Sequence, residues 1–297
     1  MTMLQDGPSK RIVKLAVRLS WPVMVAAKKW SSLPVLKWVI DPFFAYPFNE
    51  VTTIPINQEV AQADNVVVPR RIVERLVSGV RDIFILDECM CRRQVGCEDY
   101  PKTIGCMALG PAISRMHPSH GHRATRDEAI EHVRKAAEAG LVANVAHVWI
   151  DPLAFGLTRF HELMFICFCD DCCCLYRTHM QKRGPNLDRA YKRLPGISVK
   201  VDPEKCDSCG ECAERCFVAA MEIREGNAVP GPSCKACGRC VDVCPKGALS
   251  LQIHDEDGLY EQLVGQSTKL ADVWGHVLQK GLTSPGSQPF SSEEAPG

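Results

Sequence analysis

Eight of the chain's cysteines fall in two runs of identical spacing, and no other feature restricts the fold as much. Cys206, Cys209, Cys212 and Cys216 follow C-x2-C-x2-C-x3-C, and Cys234, Cys237, Cys240 and Cys244 repeat the pattern 28 positions later with Pro245 behind. This is an internal duplication. Three thiolates spaced in this way on a tight loop, with Gly210 and Gly238 as small turning residues, can wrap three corners of an iron–sulfur cube. The fourth corner must then come from a distance. A pair of four-thiolate zinc sites is the alternative, but its usual signature is two cysteine pairs across a longer spacer, which runs of four do not match.

The other nine of the 17 cysteines form two further groups, Cys89 to Cys106 and Cys167 to Cys174. An odd total cannot be paired entirely within the chain. Disulfide frameworks also belong to small secreted domains, whereas 297 residues with 46% hydrophobic content can bury an ordinary core. The thiols therefore read as ligands kept reduced in the cytoplasm. Lysine plus arginine equals aspartate plus glutamate at 35 each, so bulk charge does not point to nucleic acid. No Walker loop, dinucleotide fingerprint or G-x-S-x-G elbow is present, and no catalytic residue is assigned.

Along the chain the expected class is α+β, with an N-terminal cysteine-rich α+β domain followed by a ferredoxin-type module. Residues 1–50 mix Lys10, Arg11, Lys14, Arg18, Lys28, Lys29 and Lys37 with Trp21, Trp30 and Trp38. They read as an arm packed on the protein or a partner, or as an amphipathic segment at the inner membrane face. A cleaved signal peptide fits loosely. Pro22, Pro34, Pro42 and Pro47 should break the segment into short pieces. Residues 51–176 form the cysteine-rich domain. Within it Pro69, Ile72, Val73, Leu76 and Val77 predict a helix stopped at Gly79, and Ile83 to Leu86 a buried strand delivering Cys89 and Cys91 to its end. Thr125 to Glu128 predicts a capping box. Val145 to Ile150 and Leu163 to Phe168 read as strands, the second running into Cys167. Residues 177–196 read as a basic linker, 197–255 as the module with flanking strands at Ile197 to Val201 and Ala248 to Ile253, and 256–297 as an extension whose tail from Thr283 is disordered.

Residues 197–255 closely resemble bacterial-type two-cluster ferredoxins, in which the fourth cysteine of each run ligates the other cluster. The resemblance implies two [4Fe–4S] clusters, one on Cys206, Cys209, Cys212 and Cys244 and one on Cys234, Cys237, Cys240 and Cys216. It departs from the family at Phe217, where a proline often follows the fourth cysteine. Residues 51–255 as a whole resemble a little-characterised group of iron–sulfur proteins from anaerobic microbes. There a C-x-C-R element, here Cys89-Met90-Cys91-Arg92, and an ICxC element, here Ile166-Cys167-Phe168-Cys169, precede the ferredoxin.

For the upstream cysteines, Cys89, Cys91, Cys97, Cys106, Cys167, Cys169 and Cys172 are the candidate ligands of an additional site. Three readings stay open: an additional iron–sulfur cluster, structural zinc, or reactive dithiols fed by the clusters. Adjacent Cys172, Cys173 and Cys174 should not all reach one metal. His117, His120 and His122 read as an exposed loop or as a metal or proton site. His147 and His161 read as packed residues. The function expected is electron transfer, as a protein or subunit serving a redox partner or larger oxidoreductase complex. The alternative is a ferredoxin-fused reductase whose centre is the N-terminal domain.

Overall fold

In a computed structural model, residues 6–30, 33–44, 49–61, 66–175, 190–194, 196–253 and 255–274 are described. The chain first lays down two helices, α1 (Lys10–Trp30) and α2 (Pro34–Phe44), before entering a mixed sheet. The sheet strands are β1 (Asn49–Ile54), β4 (Ile83–Leu86), β5 (Met107–Leu109), β6 (Gly121–Arg123), β7 (Val142–Val148), β8 (Met164–Cys169) and β9 (Tyr191–Arg193). A two-residue hairpin, β2 (Val60–Ala61) and β3 (Val66–Val67), lies between β1 and β4. The order across the sheet is β6-β4-β5-β8-β7-β1-β9, antiparallel throughout except for β1 against β9.

Side chains alternate across strands, so each face collects its own apolar set. One face, with Ile85, Met107, Leu109, Ile166 and Phe168, packs on α3 (Pro69–Ser78) and α5 (Arg126–Glu138). The other, with Phe84, Leu86, Ala108 and Phe165, packs on a 3-10 turn at Pro111–Arg115 and on α6 (Ile150–Phe155). Both helices expected here are present. Proline opens α3, and Thr125 with Glu128 forms a reciprocal cap on α5.

Two expectations are corrected. Residues 191–193 are not linker but the edge strand β9, held by Val51 to Thr53 and by a buried set of hydrogen bonds among Thr53, Asn144 and Tyr191. Residues 176–189 and the tail from 275 lie outside the described residues. Nor do all the prolines break the N-terminal segment: α2 does begin at Pro34, but α1 runs through Pro22 and α2 contains Pro42. Pro22 is exposed, so the carbonyl it deprives of a partner one turn back meets water. Pro47 is outside the described residues.

The C-terminal half contributes β10 (Ile197–Val201), β11 (Met221–Arg224), β12 (Asn227–Pro230) and β13 (Leu249–Ile253), paired as β10 with β13 and β11 with β12. It does not stand apart. Ile197, Ala236, Leu251 and Ile253 join the same buried cluster as Ile54 and Ile72. The helix Glu256–Leu270, with Leu259 and Leu263 buried, closes that cluster against α3 through an Arg75–Asp257 ion pair at 2.5 Å.

What positions the upstream thiols is topology plus one ion pair. The C-terminal end of β4, the start of β5 and the end of β8 are neighbours, because each adjacent pair is antiparallel. Cys89 sits just beyond β4 as the residue before α4 (Met90–Val95), Cys106 just before β5, and Cys167 and Cys169 on β8 itself. Arg92 in α4 is wholly buried. Its guanidinium donates to the carbonyls of Pro101 (2.9 Å), Phe168 (2.8 Å) and Ile104 (2.5 Å) and reaches Asp170 Oδ2 at 3.3 Å. Asp170 Oδ1 in turn accepts from the backbone N–H of Cys172 (3.0 Å), Cys173 (2.5 Å) and Cys174 (3.2 Å). One arginine thus ties both cysteine loops together.

Helix α1 is anchored beside that loop. Glu88 takes Lys14, Lys10 (3.3 Å) and Arg93 (2.6 Å), while His120, buried, donates its ring N–H to the Pro8 carbonyl at 2.9 Å. The exposed-loop reading of the histidines therefore fails for His120, while His122 remains exposed. His147 is a packed residue, bonded to the Leu163 carbonyl at 3.0 Å, whereas His161 is exposed, against expectation. Burial opposes ionisation of Glu88, but Lys14, Arg93 and Lys10 outweigh it and hold its carboxyl at about 2, below the ordinary 4.5. A depressed carboxylate stabilises the fold above its ordinary value, and that contribution is lost as pH falls from about 4.5 to about 2.

Two outcomes follow. Arg92→Met leaves Asp170 buried without its partner and should lower unfolding free energy by about 3–5 kcal/mol; an unchanged denaturation midpoint of the anaerobic protein would contradict the tie described. Glu88→Gln should loosen α1 by on the order of 1–3 kcal/mol, read at neutral pH as faster limited tryptic cleavage at Arg11 and Arg18. Equal cleavage rates would mean that other contacts hold α1.

Candidate metal centres

The duplicated runs fold as duplicates. Ser208 and Ala236 both take positive φ, at 61° and 49°, as do Gly210 and Gly238, at 85° and 81°, each pair 28 positions apart. Each glycine starts a one-turn helix, Glu211–Glu214 or Arg239–Asp242. The left-handed turn before it swings successive cysteines toward one point, a conformation glycine adopts without a side-chain penalty. The backbone N–H of Ala220 donates to Cys216 Sγ at 3.2 Å and, in the equivalent place, Ala248 to Cys244 Sγ at 3.3 Å. Ala236 does the same for Cys234 at 3.4 Å. Such donors stabilise negative charge on sulfur.

Two hollows result. Cys206, Cys209, Cys212 and Cys244 line one, and Cys216, Cys234, Cys237 and Cys240 line the other. Each hollow takes three cysteines from one run and the fourth from the other. The surroundings are apolar, with Leu249 and Ala228 at the first and Phe217, Val218 and Met221 at the second. Burial pushes the thiols of Cys212, Cys234 and Cys240 up, so without a cation these sulfurs hold their protons. Four thiols per hollow, main-chain donors aimed at sulfur and an apolar wall fit an iron–sulfur group.

The hollows face different ways. Cys209 is exposed, whereas Cys216, Cys234 and Cys237 pack against Val51, Ala146, Val148 and Tyr191 of the sheet. Phe217 fills that contact, its ring edge-on to Tyr191 at 5.6 Å. Arg239, beside Cys240, reaches Asp171 at 2.8 Å, and Arg215, beside Cys216, reaches the same carboxylate at 3.4 Å. Gln58 lies against Gly238 and, with Asn57, donates to Asp242. Asp170 and Asp171 therefore face opposite halves of the molecule.

The upstream thiols divide into two groups. Cys91, Cys89, Cys106 and Cys167 hydrogen-bond in series, Cys169 bonds to Cys174, and Cys174 acts electrostatically on Cys91 and Cys167. These six make one linked cluster of thiols. Hydrogen bonds from Cys106 and Cys91, with Arg92 adding positive field, hold Cys89 well below the usual thiol range against burial. Its neighbours move oppositely. The bond to Cys89 raises Cys91, and the bonds to Cys167 and Cys89 raise Cys106. Asp151, pushed by burial up to about 7, adds its charge near Cys167. One thiolate is thus favoured among six thiols, and a bound cation would release the other protons.

Cys97, Cys172 and Cys173 form the second group, with all three sulfurs within 4.8 Å of one another. The seven candidate ligands named from the sequence are therefore not one set. Cys97 and Cys172 belong with Cys173, while Cys89, Cys91, Cys106, Cys167 and Cys169 belong with Cys174. The sequence reading did not place Cys173 and Cys174 among the candidate ligands, took Asp170 and Asp171 only as local negative charge, and gave no role to Arg239.

Cys106 is seated by close backbone packing. A Cβ on Gly105 would overlap the Leu86 carbonyl, and His132 donates its ring N–H to the Gly105 carbonyl at 2.8 Å.

No solved structure matches the chain. Over 35 residues it is 51% identical to Ferredoxin-2 of Desulfomicrobium norvegicum, a stretch that covers 12% of this chain and 59% of that protein. The chain thus spans less than two thirds of that relative's length. Residues 198–245 match the family model of a 4Fe-4S dicluster domain, and with the two four-thiol hollows they mark that segment as a ferredoxin-type iron–sulfur domain.

Proposed function

We propose that this chain is an electron-transfer protein, or the electron-transfer subunit of an anaerobic redox system. It holds two [4Fe–4S] clusters, one on Cys206, Cys209, Cys212 and Cys244 and one on Cys234, Cys237, Cys240 and Cys216. The observation that carries this reading is the crossed lining of the two hollows. Bound there, the clusters would supply one-electron redox chemistry.

The chain's own residues provide a polarity. Exposed Cys209 offers an outer end to a redox partner, and the Cys216 end is pressed into the sheet beside Asp171. Arg215 and Arg239 place positive charge beside that inner hollow, which favours added negative charge there. The six-thiol cluster is read as holding an additional iron–sulfur centre. Its support is the donor set and the buried guanidinium of Arg92 next to Cys89.

A place at the inner face of an anionic membrane has its own support. On α1, Ile12, Leu15, Leu19 and Val23 are 58–69% exposed and lie along one stripe, with exposed Arg11 and Arg18 on its flank. Trp38 on α2 is 84% exposed. Such a face suits the boundary between headgroups and acyl chains. No helix among the described residues is long and apolar enough to cross a membrane.

Iron and sulfide analysis after anaerobic purification tests the assignment. About twelve irons per chain are expected, of which about eight belong to the ferredoxin half, and a C89S/C91S double variant should fall toward the lower figure. Colourless protein with no paramagnetic signal on dithionite reduction would overturn the electron-transfer reading. For membrane contact, the protein should co-sediment with phosphatidylserine-containing vesicles at low salt and lose this on replacement of Leu15, Leu19 and Val23 by serine. Equal sedimentation of both proteins would remove that placement.

A further inference from the structure

The three thiols outside the six-thiol cluster have a geometry of their own. Cys97 Sγ lies 3.7 Å from Cys172 Sγ, and Cys172 Sγ lies 3.4 Å from Cys173 Sγ. Sulfurs bound tetrahedrally to one zinc at about 2.3 Å stand about 3.8 Å apart, the edge of the tetrahedron. The trio therefore has the span of a single ion.

Its placement is fixed without any metal. The Asp170 carboxylate collects the N–H groups of three consecutive residues, which sets the turn so that Cys172 and Cys173 project together. Cys97 follows the left-handed Gly96 that ends α4, and its N–H is held by the Arg92 carbonyl at 2.9 Å. Two neighbouring cysteines can thus serve one ion here, while Cys174 bonds instead to Cys169.

We propose that Cys97, Cys172 and Cys173 form a mononuclear site for a soft divalent cation of zinc's size, separate from the six-thiol cluster. Among the described residues no fourth His, Cys, Asp or Glu joins the group, and Cys172 is exposed. The fourth position therefore opens to solvent and takes water or a small exogenous thiolate. Three protein ligands with one open position is the arrangement of a reactive rather than a closed structural site. Its position is at the junction of the halves, since Asp171, which pairs with Arg239 and Arg215, directly precedes Cys172.

The proposal is independent of the cluster assignment, and its test reads zinc rather than iron. Full-length protein purified anaerobically is loaded with Zn2+ alone, desalted, and analysed for both metals and by zinc X-ray absorption. The expected result is about one retained zinc per chain, with about three sulfurs near 2.3 Å and one lighter ligand. Cys97→Ser and Cys172→Ser should each lower retained zinc at least about tenfold with iron content unchanged. The wild-type spectrum tests the geometry even if a variant fails to fold. A shell of four sulfurs, zinc retention indifferent to both variants, iron lost in step with zinc, or an intact mass showing a disulfide within the trio would each overturn the proposal.

Discussion

The pairing of Arg92 with Asp170 is the constraint from which the N-terminal half takes its form. Both side chains are essentially without solvent contact, at 0% and 1% exposure. An isolated charge at that depth would be strongly disfavoured, so each requires the other, and neither is satisfied by the pair alone. The guanidinium has five N–H groups in a rigid fork, and here they reach three carbonyls from two segments as well as the carboxylate. The carboxylate's second oxygen organises the turn that carries Cys172 to Cys174. A lysine could supply the charge but not that planar fork.

The ferredoxin half rests on a different device, repetition. Equivalent residues 28 apart adopt the same backbone signs and make the same N–H to sulfur bonds. The symmetry is broken by the surroundings. One hollow faces outward beside exposed Cys209, and the other is sealed against the sheet by Phe217 and Tyr191. The residue at 217, which departs from the sequence pattern of similar ferredoxins, thus works as the apolar plug between the halves.

Much of this was legible in the sequence where the signal is local. The reciprocal cap at Thr125 and Glu128, the proline-led α3 and the strand at Ile83 to Leu86 all depend on near neighbours in the chain. The delivery of Cys89 to a strand end belongs with them. Pairings across the sheet left no such trace. Nothing near Cys97 in sequence says that it meets Cys172 rather than Cys89, because that follows from β4, β5 and β8 lying side by side and from a turn fixed by Asp170. The edge strand β9 was hidden for a similar reason. Lys192 and Arg193 read as solvated charge, yet Lys192 pairs with Glu50 at 2.7 Å and Tyr191 between them and the core is buried. Shared burial also dissolved the expected border between the halves, since Ile197, Leu251 and Leu259 complete a core begun at Ile54.

The adjacent acids Asp170 and Asp171 point to opposite halves, the first to Arg92 and the second to Arg239 and Arg215. They occupy successive positions on one short turn, so neither can shift without tugging on its neighbour. A small movement of the loop around Cys240 would be carried through two consecutive peptide units into the interior sulfurs. This dipeptide is thus a covalent bridge between the sulfur-bearing loops of the two regions.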